Sequence, residues 1–380
     1  MAQIISRAGL SRANFYHYFA SKFDVVAALI ARLADDAQQV AAPAPGTADA
    51  ARGTALRSSM RRIVESWSEH GAVICAAVEH LYTVPQIGAA WFAVRDRFVA
   101  ALAAQVEQER AAGSARPGPA AETVAAMLVC GLERTFYVGT RGLDPRLPSP
   151  THAAAALDEL AASAVYGPPG RGTANGPTDD TPDLPGLPEP ESGTPDTATT
   201  ILTAVGELLR TTTLEELSVA QIAEAANSSR ATFYFYFASK EDAFAALFSK
   251  ISEPMVAAFA FAGLADPDAS SALREVLARW LAADGAPVAV VRNAVHEWPR
   301  RPELRRVYLE AAGRIVTALE GAITMHRGTD TVGAAELAAS LWWTVENTFA
   351  GSLAAEKHLA DAEAVAGLLG DLLVATVFGI

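Results

Sequence analysis

Lys22 and Lys240 stand in matching surroundings: each follows an aromatic run and a serine, and each opens a stretch that reads as a long helix. A cation in the first turn of a helix is disfavoured, because the N-terminal end of the helix dipole is positive. An anion shared between the ammonium and the free backbone N–H groups removes the conflict, and a phosphate meets that demand. Tyr16 and Tyr234 lie close by in the sequence. A solvated surface lysine is the plain alternative at either position; recurrence in two places weighs toward the anion.

The elements that must position these groups are short helices with recognisable caps. In the second stretch, Thr200 is the expected cap of a helix with the apolar stripe Ile201, Leu202, Val205, Leu208 and Leu209. Ser218 with Gln221 three residues on forms a capping box that opens a short helix ending near Ala226. Asn227-Ser228 reads as a tight turn, asparagine being tolerant of left-handed dihedrals. Ser229 then caps a helix over Arg230–Phe237, and Ser239 with Asp242 makes another box. The run Phe233-Tyr234-Phe235-Tyr236-Phe237 has strand propensity when read alone. As a helix it places Phe233 and Phe237 inward and leaves Tyr234 and Phe235 facing out. Two short helices joined by a tight turn, the second showing polar and aromatic groups, form a helix-turn-helix whose second helix can enter the major groove of duplex DNA.

The same design is written twice. Gln3–Lys22 and Gln221–Lys240 share 13 of 20 residues at a shift of 218. Fainter echoes follow at a shift of 213: Trp67 with Trp280, Glu133 with Glu346, Thr135 with Thr348, and Phe136 with Phe349. We therefore expect an all-α chain made of two tandem copies, each a helix-turn-helix DNA-binding domain plus a helical ligand and dimerisation domain, with about nine helices in the full copy. The expected divisions are a first helix-turn-helix unit over 1–40, a helical domain over 41–167, a linker over 168–198, a second unit over 199–247 and a second helical domain over 248–380. The linker holds 8 Pro and 5 Gly in its 31 residues together with six acidic groups, too little apolar surface to order itself. At the shift of 218, Ser218 corresponds to a position before Met1, so the first copy starts inside its second helix and is expected to be weakened, or to begin upstream.

The pattern I-A-x-A-x-x-x-S-x-x-T-F-Y-x-Y-F-x-S-K over residues 222–240 resembles the DNA-binding signature of the tetracycline-repressor (TetR) family. That resemblance implies a regulator with an N-terminal three-helix DNA-binding domain, and a C-terminal ligand domain through which two subunits pair in a four-helix bundle. It implies DNA contacts from Arg230, Thr232, Tyr234, Phe235, Tyr236 and Lys240, and in the first copy from Arg12, Asn14, Tyr16, His17, Tyr18 and Lys22. Arginine and asparagine can read guanine and adenine edges, whereas tyrosine and lysine suit the backbone. One departure is Asn227-Ser228, where the family's turn carries Gly and a hydrophobic residue, as Gly9-Leu10 does here.

With both copies on one chain, the expected assembly is an intrachain pseudo-dimer, with further homodimerisation an open alternative. Its bundle would use Glu122–Gly139 and His152–Tyr166 with Ala335–Ser352 and Glu363–Phe378, all apolar stretches. Its partner would be double-stranded DNA carrying an imperfect palindrome, with half-sites about 34–36 Å apart or a multiple. The recognition helices differ at Asn14/Thr232 and His17/Phe235. Trp280, Trp298, Trp342, Trp343, Glu346, Asn347 and Phe349 are candidates to line a site for a small apolar effector, with ordinary core packing the alternative for each. Glu346-Asn347, the polar exception, suits a ligand, a bundle contact or solvent.

Composition fits this picture. The net charge of −13 is unevenly spread: residues 1–167 carry 15 basic and 15 acidic groups, while Met1–Lys22 has three basic groups and no acid. Two cysteines imply no disulfide framework, and a reducing cytoplasm suits them. No cofactor and no enzyme is expected, since phosphate-cradling glycine loops, His-Glu-x-x-His and paired cysteine ligands are not found. A metal at His70, Cys75, Glu79 and His80 is the weaker alternative. The C-terminal Ala364–Ile380 contains Asp371 and reads as a buried helix, not a membrane span. A sensor of the same fold with weak or lost DNA binding is the rival function.

Overall fold

The computed structural model describes residues 2–41, 54–167, 196–261, 270–327 and 333–379, so most of the expected linker lies outside them. The described residues are helical throughout their regular structure, with no strand among them. The first half runs α1 (Ala2–Arg7), α2 (Arg12–Tyr18), α3 (Lys22–Ala41), α4 (Thr54–Glu69), α5 (Gly71–His80), α6 (Pro85–Ala111), α7 (Ala121–Arg141) and α8 (Ala154–Tyr166). The second runs α9 (Thr197–Leu208), α10 (Val219–Ala225), α11 (Arg230–Tyr236), α12 (Lys240–Phe261), α13 (Ser270–Ala282), α14 (Ala286–Glu297), α15 (Pro302–Arg327), α16 (Ala334–Leu353) and α17 (Ala362–Phe378). From α1 and α10 onward the two halves have helices in the same order; α9 has no counterpart among the described residues of the first half.

Local chemistry sets the boundaries. Ser218 and Gln221 close a reciprocal capping box at the start of α10. Ser229 accepts from the Thr232 backbone N–H, and Ser11 from that of Asn14, so α11 and α2 start alike. Between α10 and α11 the turn passes through Asn227 at φ 48°, and the matching turn of the first half through Gly9 at φ 64°. A left-handed residue is needed there, and Asn and Gly are the types that accept it at least cost. One expected cap is corrected: α9 opens on Asp196, which accepts from Thr199 N–H, and Thr200 lies inside the helix. An ionised aspartate bonds the free N–H groups more strongly and also answers the helix dipole.

Within each half the long pair α3 and α6, or α12 and α15, forms the spine on which the short helices rest. In the second half α9 packs on α10, α12 and α14. It covers Ile222 completely and leaves Leu247 8% exposed. Their counterparts Ile4 and Leu29 are each 40% exposed, and no described helix stands over them where α9 does in the second half. Between the halves, α7 and α8 meet α16 and α17 as four helices, with α7 against α16 the largest of these contacts. The ends of that bundle are fixed by Gly142 and Gly379, which stop α7 and α17 at φ 61° and 68°. Val377 and Phe378 of α17 are buried, and no described helix is long and apolar enough to cross a membrane.

Candidate nucleic-acid interface and cavity

Helix α11 is anchored by one face and free on the other. Phe233 is fully buried and Phe237 nearly so, with ring centroids 5.8 Å apart. The four-residue spacing puts both on the inner face. That orientation turns Tyr234, Phe235 and Tyr236 outward; Phe235 is 82% exposed. Arg230 is exposed at the N-terminal end. The Thr232 hydroxyl lies 2.8 Å from Ser229 Oγ, so it belongs to the cap as well as to the surface. Helix α2 repeats the arrangement: Phe15 is the buried anchor, and Arg12, Asn14, Tyr16, His17 and Tyr18 are exposed. The His17 and Tyr18 rings meet edge to face at 4.9 Å. Exposed aromatics of this size, held on a short helix with no acidic neighbour in its sequence, are unusual for a plain solvent face.

Lys240 departs from the expectation for it. Its ammonium donates to three backbone carbonyls of the segment between α9 and α10: Leu214 at 2.7 Å, Glu215 at 2.9 Å and Leu217 at 2.6 Å. An ammonium has three N–H donors, and here all three are used. The conflict between this cation and its helix start is thus resolved by carbonyl oxygens of the same chain and not by a free anion-binding position. Among the described residues no such segment faces Lys22; it is exposed, its Nζ 4.8 Å from the centre of the Phe23 ring.

A cavity of about 50 Å³ lies in the second helical domain, among α12, α13, α14, α15 and α16. Of the seven candidate lining residues, Trp280, Trp342, Glu346 and Phe349 stand in its wall, joined by Phe259, Met255 and Tyr308. Trp298, Trp343 and Asn347 do not, which corrects the expectation for those three. Trp298 stacks on Tyr308 at 5.0 Å and on Trp343 at 5.8 Å, and the Trp343 indole N–H donates to Asp144 of the first half at 3.3 Å. Asn347 faces α7. In the first half, Trp67, the counterpart of Trp280, packs against Trp91, Phe98 and Phe136 with centroids 5.6 to 5.7 Å apart.

The seam between the halves carries a buried polar network. Arg134 Nε donates to Glu346 Oε2 at 2.8 Å, and its Nη2 to Asn347 Oδ1 at 3.1 Å. Asn347 Nδ2 returns to the Cys130 carbonyl at 3.0 Å and to Glu133 Oε1 at 3.1 Å. Each glutamate also accepts from its own half, Glu133 from Trp91 Nε1 at 2.5 Å and Glu346 from the Tyr308 hydroxyl at 2.6 Å. Arg95 reaches Glu356 of the second half at 2.7 Å. Burial penalises the charge of Arg134, yet Glu346 and neighbouring groups more than offset that and raise its pKa. Burial, then Glu346, holds the Tyr308 hydroxyl well above its ordinary range. The echo of Glu133 in Glu346 is visible in sequence; that Glu133 accepts from Asn347 and Glu346 from Arg134 across the halves is not.

The weaker metal reading finds no geometry. Glu79 pairs with Arg141 at 2.6 Å, and burial pushes the Cys75 thiol up to about 11. Among the described residues no group of three His, Cys, Asp or Glu side chains is placed to hold an ion.

Comparison with known proteins agrees with this architecture. A family model described as bacterial regulatory proteins, tetR family, matches residues 1–29 and again 201–247. A second, described as the C-terminal domain of the transcriptional regulator EthR, matches residues 56–167. The HTH-type transcriptional regulator EthR of Mycobacterium tuberculosis is 32% identical over 167 residues, covering 42% of this chain and 74% of the relative. That of Mycolicibacterium smegmatis is 29% identical over 184 residues, covering 47% and 85%. Among solved structures, Salmonella enterica GusR aligns with a TM-score of 0.39 and 22% identity, over 48% of this chain and 95% of that one.

Proposed function

This chain belongs to the TetR family of bacterial transcriptional regulators, and within that family we propose that it is a ligand-responsive repressor working as a single-chain pseudo-dimer in the cytoplasm. The observation that carries the reading is the pair of exposed, similarly capped helices α2 and α11 on one chain whose halves meet through α7, α8, α16 and α17. We assign base reading to Arg12 and Asn14 on one side and to Arg230 and Thr232 on the other. Tyr16, His17, Tyr18 and Lys22, with Tyr234, Phe235 and Tyr236, are assigned to the sugar-phosphate backbone, while Lys240 holds the unit together. The segments 1–40 and 199–247 are then the two DNA-binding units, and 41–167 and 248–380 the helical domains, joined by 168–198.

The effector of this reading is a small apolar molecule in the second helical domain. A void of about 50 Å³ is smaller than any drug-sized compound, so entry requires lining groups to move. Met255, unbranched and flexible, is the natural one to yield. Glu346 lies both in that wall and in the seam, so occupancy and the pairing of the halves share one carboxylate.

Selection of bound fragments from random duplexes tests the reading. The expected product is an imperfect palindrome with half-sites about 34–36 Å apart or a multiple, its two arms differing where Asn14 and His17 face Thr232 and Phe235. Binding that fails at low salt, or that does not weaken with added salt, removes it. A second reading, a sensor with weak DNA binding, is favoured by one observation: the first unit leaves Ile4 and Leu29 uncovered. Selected sites with one conserved arm would support that version.

A further inference from the structure

We infer that the α7–α16 seam is a keyed interface that accepts unlike halves and rejects like ones, so that the first half of this chain recognises the second half and not a second copy of itself. This rests on the two halves pairing through the four-helix bundle, as proposed above.

The first part of the key is steric. Gly131 of α7 and Thr344 of α16 are counterparts at the shift of 213, and they face each other. Residues related by the duplication meet in this way where the pseudo-twofold axis crosses the seam. A Cβ on Gly131 would lie 2.9 Å from both Cβ and Cγ2 of Thr344, closer than carbon atoms approach without displacement. Two second halves would set Thr344 against Thr344 in a gap that holds one threonine. Two first halves would set Gly131 against Gly131 and leave a void. Unlike pairing fills the gap once.

The second part is charge. Counted from the prolines that open α6 and α15, Trp91 matches Tyr308 and Arg95 matches Ala312. Each of the first two donates to the glutamate of its own half. Glu133 therefore has a cation from its own half, Arg95 at 3.6 Å. Glu346 has alanine at that place, and the arginine bonded to it is Arg134, from the other half. Arg95 in turn is paired with Glu356 of the second half. Both central ion pairs thus run from a first-half arginine to a second-half carboxylate. Two second halves would bury Glu346 against Asn347 with no cation, and two first halves would bring Arg134 against Arg134 with only Glu133, already paired with Arg95, in the place of Glu346. An unpaired buried charge is strongly destabilising, whereas the matched pair is tolerated. The two parts of the key are independent and select the same partner.

The test uses the full chain and exchanges the key. Gly131→Thr alone should lower the midpoint of thermal unfolding by about 5 °C or more, the usual sign of an overpacked core. Adding Thr344→Gly should bring the midpoint back to within about 2 °C of the original, because knob and hole have only changed sides. An exchange variant that unfolds no later than Gly131→Thr alone overturns the key. Should Gly131→Thr fail to fold, the ion pair gives a second cycle. Arg134→Gln and Glu346→Gln should each lower the midpoint, and the double variant should lose less than the sum of the two. Strict additivity overturns the proposal. Light scattering of the unmodified chain separates this idea from the single-chain reading. A particle of two chains with both cycles intact removes the single-chain assembly but keeps unlike pairing, exchanged between chains. A particle of one chain with additive cycles removes the key alone.

Discussion

The Lys240 ammonium lies 2.7 Å from the carbonyl oxygen of Leu214, and this bond, with those to Glu215 and Leu217, ties the start of α12 to the segment that links α9 to α10. A bond to a charged donor contributes about 1.5–3 kcal/mol. Lys240→Met should therefore lower stability by about that amount while leaving the salt dependence of DNA binding unchanged. Lys22→Met should do the reverse: no measurable loss of stability, and a log–log salt slope shallower by about 0.9, the value for one phosphate contact. Denaturant melts and binding titrations at several salt concentrations read both. A shallower slope for Lys240→Met would return that lysine to the backbone of DNA.

The covered and uncovered versions of one residue make a second test. Ile222 is fully buried beneath α9, and Ile4, at the same place in the motif, is 40% exposed. Ile222→Ala should cost about 2–5 kcal/mol, as truncation in a packed core does. Ile4→Ala should cost under about 1 kcal/mol, within the range of surface substitutions. Urea unfolding monitored by circular dichroism gives the comparison; equal costs would mean that Ile4 is covered in solution.

Phe235 isolates recognition from folding. With 82% of its surface exposed it contributes little to the core, so Phe235→Ala should leave the unfolding midpoint within about 1 °C. If α11 docks on DNA, the same change should weaken binding by about tenfold, since removal of a stacking or packing ring at an interface costs on the order of 1–3 kcal/mol. Unchanged affinity would take Phe235 out of the contact surface.

His296 sets an acid limit on stability. It is stacked on Tyr82 of the first half at 3.7 Å, and burial, then Arg134 and Arg292, pushes its pKa down to about 3. The folded state holds it neutral, while the unfolded chain protonates it near its ordinary value of 6.5. The unfolded state then binds more protons between about pH 6.5 and 3. Its contribution is fully present above pH 6.5 and is lost as the pH falls through that window, at up to about 1.4 kcal/mol per pH unit. His296→Gln should flatten the midpoint-against-pH curve there. An unaltered curve would mean that other groups set the acid transition.

Much of the fold could be read in the sequence because caps and turns are local. Ser218-Gln221, Ser229 and the left-handed position at Asn227 act within a few residues, and their side chains have few alternatives. The outward face of α11 followed from the four-residue spacing of Phe233 and Phe237. What depended on distant partners was not legible. The dipole argument for Lys240 identified a real conflict, but the carbonyls that answer it come from more than 20 residues upstream. That Trp343 and Asn347 face away from the cavity is not legible, because α16 is buried on nearly every side. A helix apolar all round has no periodic signal to distinguish the face toward a void from the face toward a neighbouring helix. Trp67 and Phe136 are legible as counterparts of Trp280 and Phe349, but their packing with Trp91 and Phe98 depends on partners from other helices.

Those four rings have a consequence for dosage. A regulator assembled from two identical subunits offers its inducer two equivalent receptacles, and the second can be easier or harder to fill than the first. Here the void described lies in the second half, while in the first Trp67 packs directly against Trp91, Phe98 and Phe136. If that void alone takes the effector proposed for it, saturation follows a simple hyperbola, and a controlled gene would respond gradually over nearly two decades of concentration, without a threshold.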